Sequence, residues 1–273
     1  MSQNWIRTVS PHKEARNLVA RGQPSQVGSM LLALCIGVGV IQAADIPIPN
    51  GSFESPTPPP GFPATPMVDS WQKSPQPVWF DPDAFGGITW DQLSGVFPNT
   101  PVGSPDHIVN LDGDQAAYMF ALPEVALFQE LELTYEVGLS YTLTVGMLGT
   151  QGIVEGSSFE LSLYYLDGVN GPVTLAATPV TYTAEGFPTV TQLIDVSASL
   201  SEVQADDPWA GQNIGIQFLS TSGEAGVWDL DNVRLQAIPE PGTMGLLALG
   251  LGVWVMAQHC ARRRRAAVGG RDA

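Results

Sequence analysis

Phe159-Glu160-Leu161-Ser162-Leu163-Tyr164 alternates apolar and polar side chains with a period of two. That is the pattern of a strand burying one face, because successive side chains on a strand point to opposite sides. Tyr141-Thr142-Leu143-Thr144-Val145 repeats it upstream. Downstream, Asp167-Gly168-Val169-Asn170-Gly171 is a hairpin signal leading into the next apolar run at 173–183. Further outward, short apolar or alternating runs recur at 107–111, 116–122, 189–196, 214–220 and 227–235. Only 200–204 hints at a helical turn. Eight or more such runs without strand–helix alternation predict an all-β sandwich over residues 45–237. The proline-rich stretch 55–66 predicts a loop.

The charge is sorted along the chain as sharply as the pattern. Nine of the 11 Lys and Arg lie outside 45–241, leaving Lys73 and Arg234 as the only bases of the middle against 25 acids, a net −23. A surface of that sign repels phosphate backbones, so nucleic-acid binding is excluded. It suits divalent cations. Both cysteines, Cys35 and Cys260, lie in or beside the terminal apolar runs, so the middle carries no disulfide or thiol chemistry.

Residues 1–44 resemble a signal peptide with an extended head. Four bases precede the apolar run 30–41, and Ala43 and Ala44 supply small residues for cleavage. Twelve apolar residues are too few to span a ~30 Å hydrocarbon core comfortably. At the other end, Pro239-Glu240-Pro241 introduces an apolar run at 243–257, expected as a transmembrane helix over about 243–258. Arg262, Arg263, Arg264 and Arg265 follow and hold that end in the cytoplasm. The proline pair is expected to stop the preceding strand.

Together, the Pro-Glu-Pro triplet, the apolar helix and the arginine cluster resemble the PEP-CTERM sorting signal, here over residues 238–273. The resemblance implies export and an inner-membrane-anchored intermediate. Processing by an exosortase near the motif would then deliver the chain to the cell surface or extracellular matrix of a Gram-negative bacterium that makes biofilm and exopolysaccharide.

The middle has its own resemblance. Asn50-Gly51-Ser52-Phe53-Glu54, Asp112-Gly113-Asp114-Gln115-Ala116-Ala117-Tyr118 and Trp228-Asp229-Leu230-Asp231-Asn232-Val233-Arg234-Leu235 are similar to landmarks of the galactose-binding-like jelly roll, the fold of many carbohydrate-binding modules. The resemblance implies that the first and last strands meet and share a structural calcium, with Glu54 and Asp231 supplying carboxylates and Asn50 nearby. Calcium takes six to eight oxygens, which carboxylates and carbonyls provide. The same residues also read as solvated edge-strand positions, and Asp112-Gly113-Asp114 as a turn.

For ligand binding, Trp71 and Trp209 are the aromatic candidates in loop-rich segments, able to stack on sugar rings. Trp79 and Trp90 read equally well as core. The middle lacks HExxH, GxSxG and phosphate-binding glycine motifs, and its one histidine, His107, reads as structural. The expectation is a non-catalytic surface or matrix protein that binds carbohydrate or exopolysaccharide. An anchored carbohydrate-active hydrolase and a purely structural, calcium-stabilised surface component are the alternatives.

Overall fold

The structure is a computed structural model and describes residues 43–169 and 171–240. The expected signal helix, the helix at 243–258, Pro241 and the arginine cluster lie outside the described residues. Eleven strands form two antiparallel sheets facing each other across one core. They are β1 (Ala44–Ile46), β2 (Gln72–Lys73), β3 (Ser94–Pro98), β4 (Gln115–Phe120), β5 (Ala126–Thr134), β6 (Leu139–Thr150), β7 (Ser158–Asp167), β8 (Gly171–Thr181), β9 (Ile194–Leu200), β10 (Asn213–Ser222) and β11 (Val227–Pro239). One sheet runs β3-β4-β11-β6-β9, with β1 added beside β11. The other runs β2-β5-β10-β7-β8. This is the sandwich that the alternation predicts and the jelly roll that the resemblance implies.

The alternation explains the layers. On β7, Phe159, Leu161 and Leu163 are fully buried in the core, and Asp167 pairs with Gly171 across the expected hairpin. On β11, Trp228 and Leu230 point inward, and Trp228 packs 5.7 Å from Phe159 of the facing sheet. Asp229 and Asp231 must then lie on the opposite, outer face.

Three expectations are corrected. Residues 107–111 are a loop, held by side-chain amides instead of a ladder. The segment 201–204 is irregular rather than helical. β11 runs to Pro239, two residues past the expected domain end. Glu240 donates its amide to Gly138 O on the β6 side, so by alternation the nitrogen of Pro239 faces the other edge. β1 has already ended there, at Ala44 opposite Ala237, and a proline costs no ladder bond.

Candidate functional site

Two regions of the six-stranded sheet gather chemistry. The first is a knot where the chain's beginning meets β11. Glu54 reaches across to residues 112–115, and its Oε1 accepts from the amides of Asp114 and Gln115, each at 2.8 Å. Gly113 has a φ of +115°, and any Cβ there would collide with the Glu54 carboxylate. Glycine at 113 is therefore a requirement of close approach as well as of the turn. Asp231 is fully buried, and its Oδ2 accepts from the Asp112 amide at 2.6 Å. A bulge after Asp231, with Asn232 at φ 55°, shifts the β6 register there.

Glu54 and Asp231 thus hold one loop between them through its backbone amides. Two buried oxygens at this loop have no protein partner, Asp231 Oδ1 and Gln115 Oε1. Burial pushes the Asp231 carboxyl up to about 7, against the stabilising amides of Asp112 and Asn232 and with the help of the Asp112 and Glu54 charges. Unpartnered carboxyl and amide oxygens beside a second carboxylate are the donor chemistry of a calcium site. The fit is partial, because among the described residues no three His, Cys, Asp or Glu group together as metal ligands.

Asn50 does not belong to that donor set. Its amide nitrogen lies 2.6 Å from Ser55 O and 2.8 Å from Asp69 O, and its Oδ1 accepts from the Ser55 amide at 3.1 Å. Its backbone carbonyl accepts from Trp71 Nε1 at 3.1 Å. That contact also corrects the reading of Trp71. Only 7% exposed, it lies between Phe53 (5.3 Å) and Phe218 (5.0 Å), and it anchors the loop in the core. Trp209 is half-buried and packed against the core, with its Nε1 buried and unpartnered. Trp90 is buried, while Trp79 is 45% exposed and donates to Glu124 at 2.8 Å.

The second region is a cleft of about 560 Å³ on the same outer face. Asp229 and Thr150 form its floor, Phe97, Pro98 and Ile108 give it apolar walls, and Asp106 and Gln151 stand at its rim. The loop that roofs it is internally fastened. Asn99 bonds Ile108 at both backbone groups, His107 Nδ1 lies 2.6 Å from Thr100 O, and Asn110 ties the loop to Leu193. Asp229 is 5% exposed; one oxygen accepts from Thr150 Oγ1 at 3.0 Å and the other has no partner. Burial pushes its carboxyl up to about 7 despite the Thr150 bond. No residue spacing flagged Asp229, since its isolation from water depends on a loop 120 positions away in the chain.

A jelly-roll sandwich followed by a sorting motif marks an exported surface protein. The chain belongs to the HpiC1 cyclase-like family, whose model matches residues 44–236. Residues 237–265 match the PEP-CTERM protein-sorting motif.

Among solved structures, a cyclase from Fischerella sp. TAU is 21% identical, covering 72% of this chain and 98% of that one at a TM-score of 0.54. A Fischerella sp. TAU cyclase in complex with 4-(1H-indol-3-yl)butan-2-one is 22% identical at 0.53, with 72% and 98% covered. These likenesses establish the fold. The CBM22-1 xylan-binding domain from Paenibacillus barcinonensis is 12% identical at 0.37, with 63% and 87% covered. A comparison with curated proteins finds no match.

Proposed function

We propose that this chain is a surface-sorted, non-catalytic binding protein whose ligand site is the cleft over Asp229, and that its ligand is a neutral carbohydrate such as a segment of exopolysaccharide. The observation that carries this reading is the cleft's mixed lining. Apolar walls from Phe97, Pro98 and Ile108 face the polar groups of Thr150, Gln151, Asp106 and Asp229. Ligand sites of this kind pair apolar surface with a few placed polar groups, and a sugar ring presents both characters. The 25 acids of residues 45–241 argue against a polyanionic ligand. In this reading the sorting motif delivers the domain through an exosortase from the inner membrane to the surface, where exopolysaccharide is at hand.

The test is binding of the folded domain to a panel of neutral polysaccharides, followed by titration calorimetry. Gln151→Ala and Asp229→Asn should each weaken binding about 10-fold, the worth of one or two ligand hydrogen bonds. Binding left unchanged by both would move the site elsewhere.

A second reading, acid catalysis, is favoured by one observation. Asp229 is a carboxyl shut away from water at the floor of a cleft, with one oxygen unpartnered. A buried carboxylic acid can hand a proton to a bound substrate, and Asp106 at the rim is a second carboxyl of the same cleft. Turnover of a glycan or an indole-type substrate that Asp229→Asn abolishes while binding persists would favour this reading over the first.

The knot at Glu54, Gln115 and Asp231 is further proposed to hold a structural calcium, supported by the two unpartnered oxygens and the acidic surroundings. The ion would neutralise buried charge and fix the first turn of the domain against its last strand.

A further inference from the structure

The end of β11 is used by neither the cleft nor the knot. Ile238 pairs with Ser140 and Pro239 with Leu139, and the Glu240 amide then donates to Gly138 O at 3.2 Å. The Glu240 carboxylate lies 2.8 Å from Ser140 Oγ, which is itself 3.2 Å from Ile238 O. Ser140 is buried, so the post that holds Glu240 is fixed. Of the sorting motif, Pro239 is therefore the last residue of the sheet, and Glu240 is tied to the turn before β6 and to Ser140. Only Pro241 and Gly242 separate Glu240 from the apolar run that begins at Thr243, roughly 7 Å of extended chain. An enzyme that cuts a peptide bond must close around an extended segment, and here one edge of that segment is already occupied by β6.

We propose that the sandwich restrains its own sorting signal. Pro239 and Glu240 must peel away from the 138–140 segment before the processing enzyme can take the motif, so processing draws on the population of opened strand ends. The proposal rests on the sorting reading of the tail. Peeling breaks few contacts at the end of a strand, where local opening is easiest, so the restraint slows processing without preventing it.

The test follows conversion of the full-length chain by pulse–chase in an exosortase-bearing host. Ser140→Ala removes the carboxylate's partner and should speed conversion roughly two- to tenfold, the net worth of one hydrogen bond. A Gly-Ser spacer of about ten residues inserted between Ile238 and Pro239 frees the motif and should speed it at least as much. Ser140→Cys with Ile238→Cys, which face each other in register, should slow conversion when oxidised and recover on reduction. Wild-type rates for all three variants would overturn the restraint. An intact wild-type chain with a converted spacer variant would make the restraint complete. If neither is converted, the sorting reading falls, and the restraint with it.

Discussion

Asp229 and Asp231 stand two residues apart on the same face of β11, yet the molecule treats them differently. Asp231 is wrapped by backbone: the Asp112 amide bonds it, Glu54 clamps the same loop from the far side, and no solvent reaches it. Asp229 has one hydroxyl partner, its other oxygen is buried without one, and the residue lines a cleft of about 560 Å³. Burial alone therefore does not distinguish the two carboxyls. The groups gathered around each of them do.

The contrast can be broken in several places. Around the knot, Trp71→Ala should cost about 3–5 kcal/mol in denaturant unfolding, because a buried ring joining Phe53 to Phe218 is replaced by a void. A loss of glycan binding without that destabilisation would restore Trp71 as a ligand platform. Asp231→Ala should cost about 2–3 kcal/mol, since it orphans the Asp112 amide. Gln151→Ala, exposed at the rim of the cleft, should stay within about 0.5 kcal/mol of wild type. Equal costs for the two would erase the distinction between knot and cleft.

Acidity sharpens the same contrast. Both carboxyls are pushed up to about 7 from the ordinary 3.8. Between about pH 4 and pH 7 the folded chain keeps protons that the unfolded chain releases. In chelator, the stability these two carboxyls contribute should therefore be full at about pH 4 and below, and be lost as pH rises toward 7. Asp229→Asn should flatten part of that slope in urea unfolding at a series of pH values. Adding calcium should cancel the part due to Asp231 and leave the part due to Asp229. The smallest effect expected is a rise of a few degrees in melting temperature with calcium over chelator, since a ligand that binds only the folded state stabilises it. A melting temperature indifferent to both would sink the metal site.

Much of the fold was legible because it repeats locally. The alternation at 159–164 and 141–145 marks β7 and β6, and Asp167-Gly168 marks the hairpin from β7 to β8. β5 was not legible: in Ala126-Leu127-Phe128 three apolar residues run together and hide the period. Residues 107–111 misled for the opposite reason, an apolar run used to roof a cleft. Short motifs singled out Glu54 and Asp231, which both bond the 112–115 loop, whereas Trp71 and Asn50 were misjudged. Nothing local to Trp71 shows that Phe218 will stack on it, and nothing local to Asn50 shows that its amide will be spent on Ser55 and Asp69.

Periodicity, charge and a contiguous motif are each written within a few residues of one another, so the all-β class, the acidic middle and Pro239-Glu240-Pro241 could be read without any fold. Folding settled which acids are buried, that Trp71 is core, and that Glu240 is held by Ser140. Those outcomes depend on residues as far apart in the chain as Trp71 and Phe218 being brought into contact, and no local pattern encodes such a meeting.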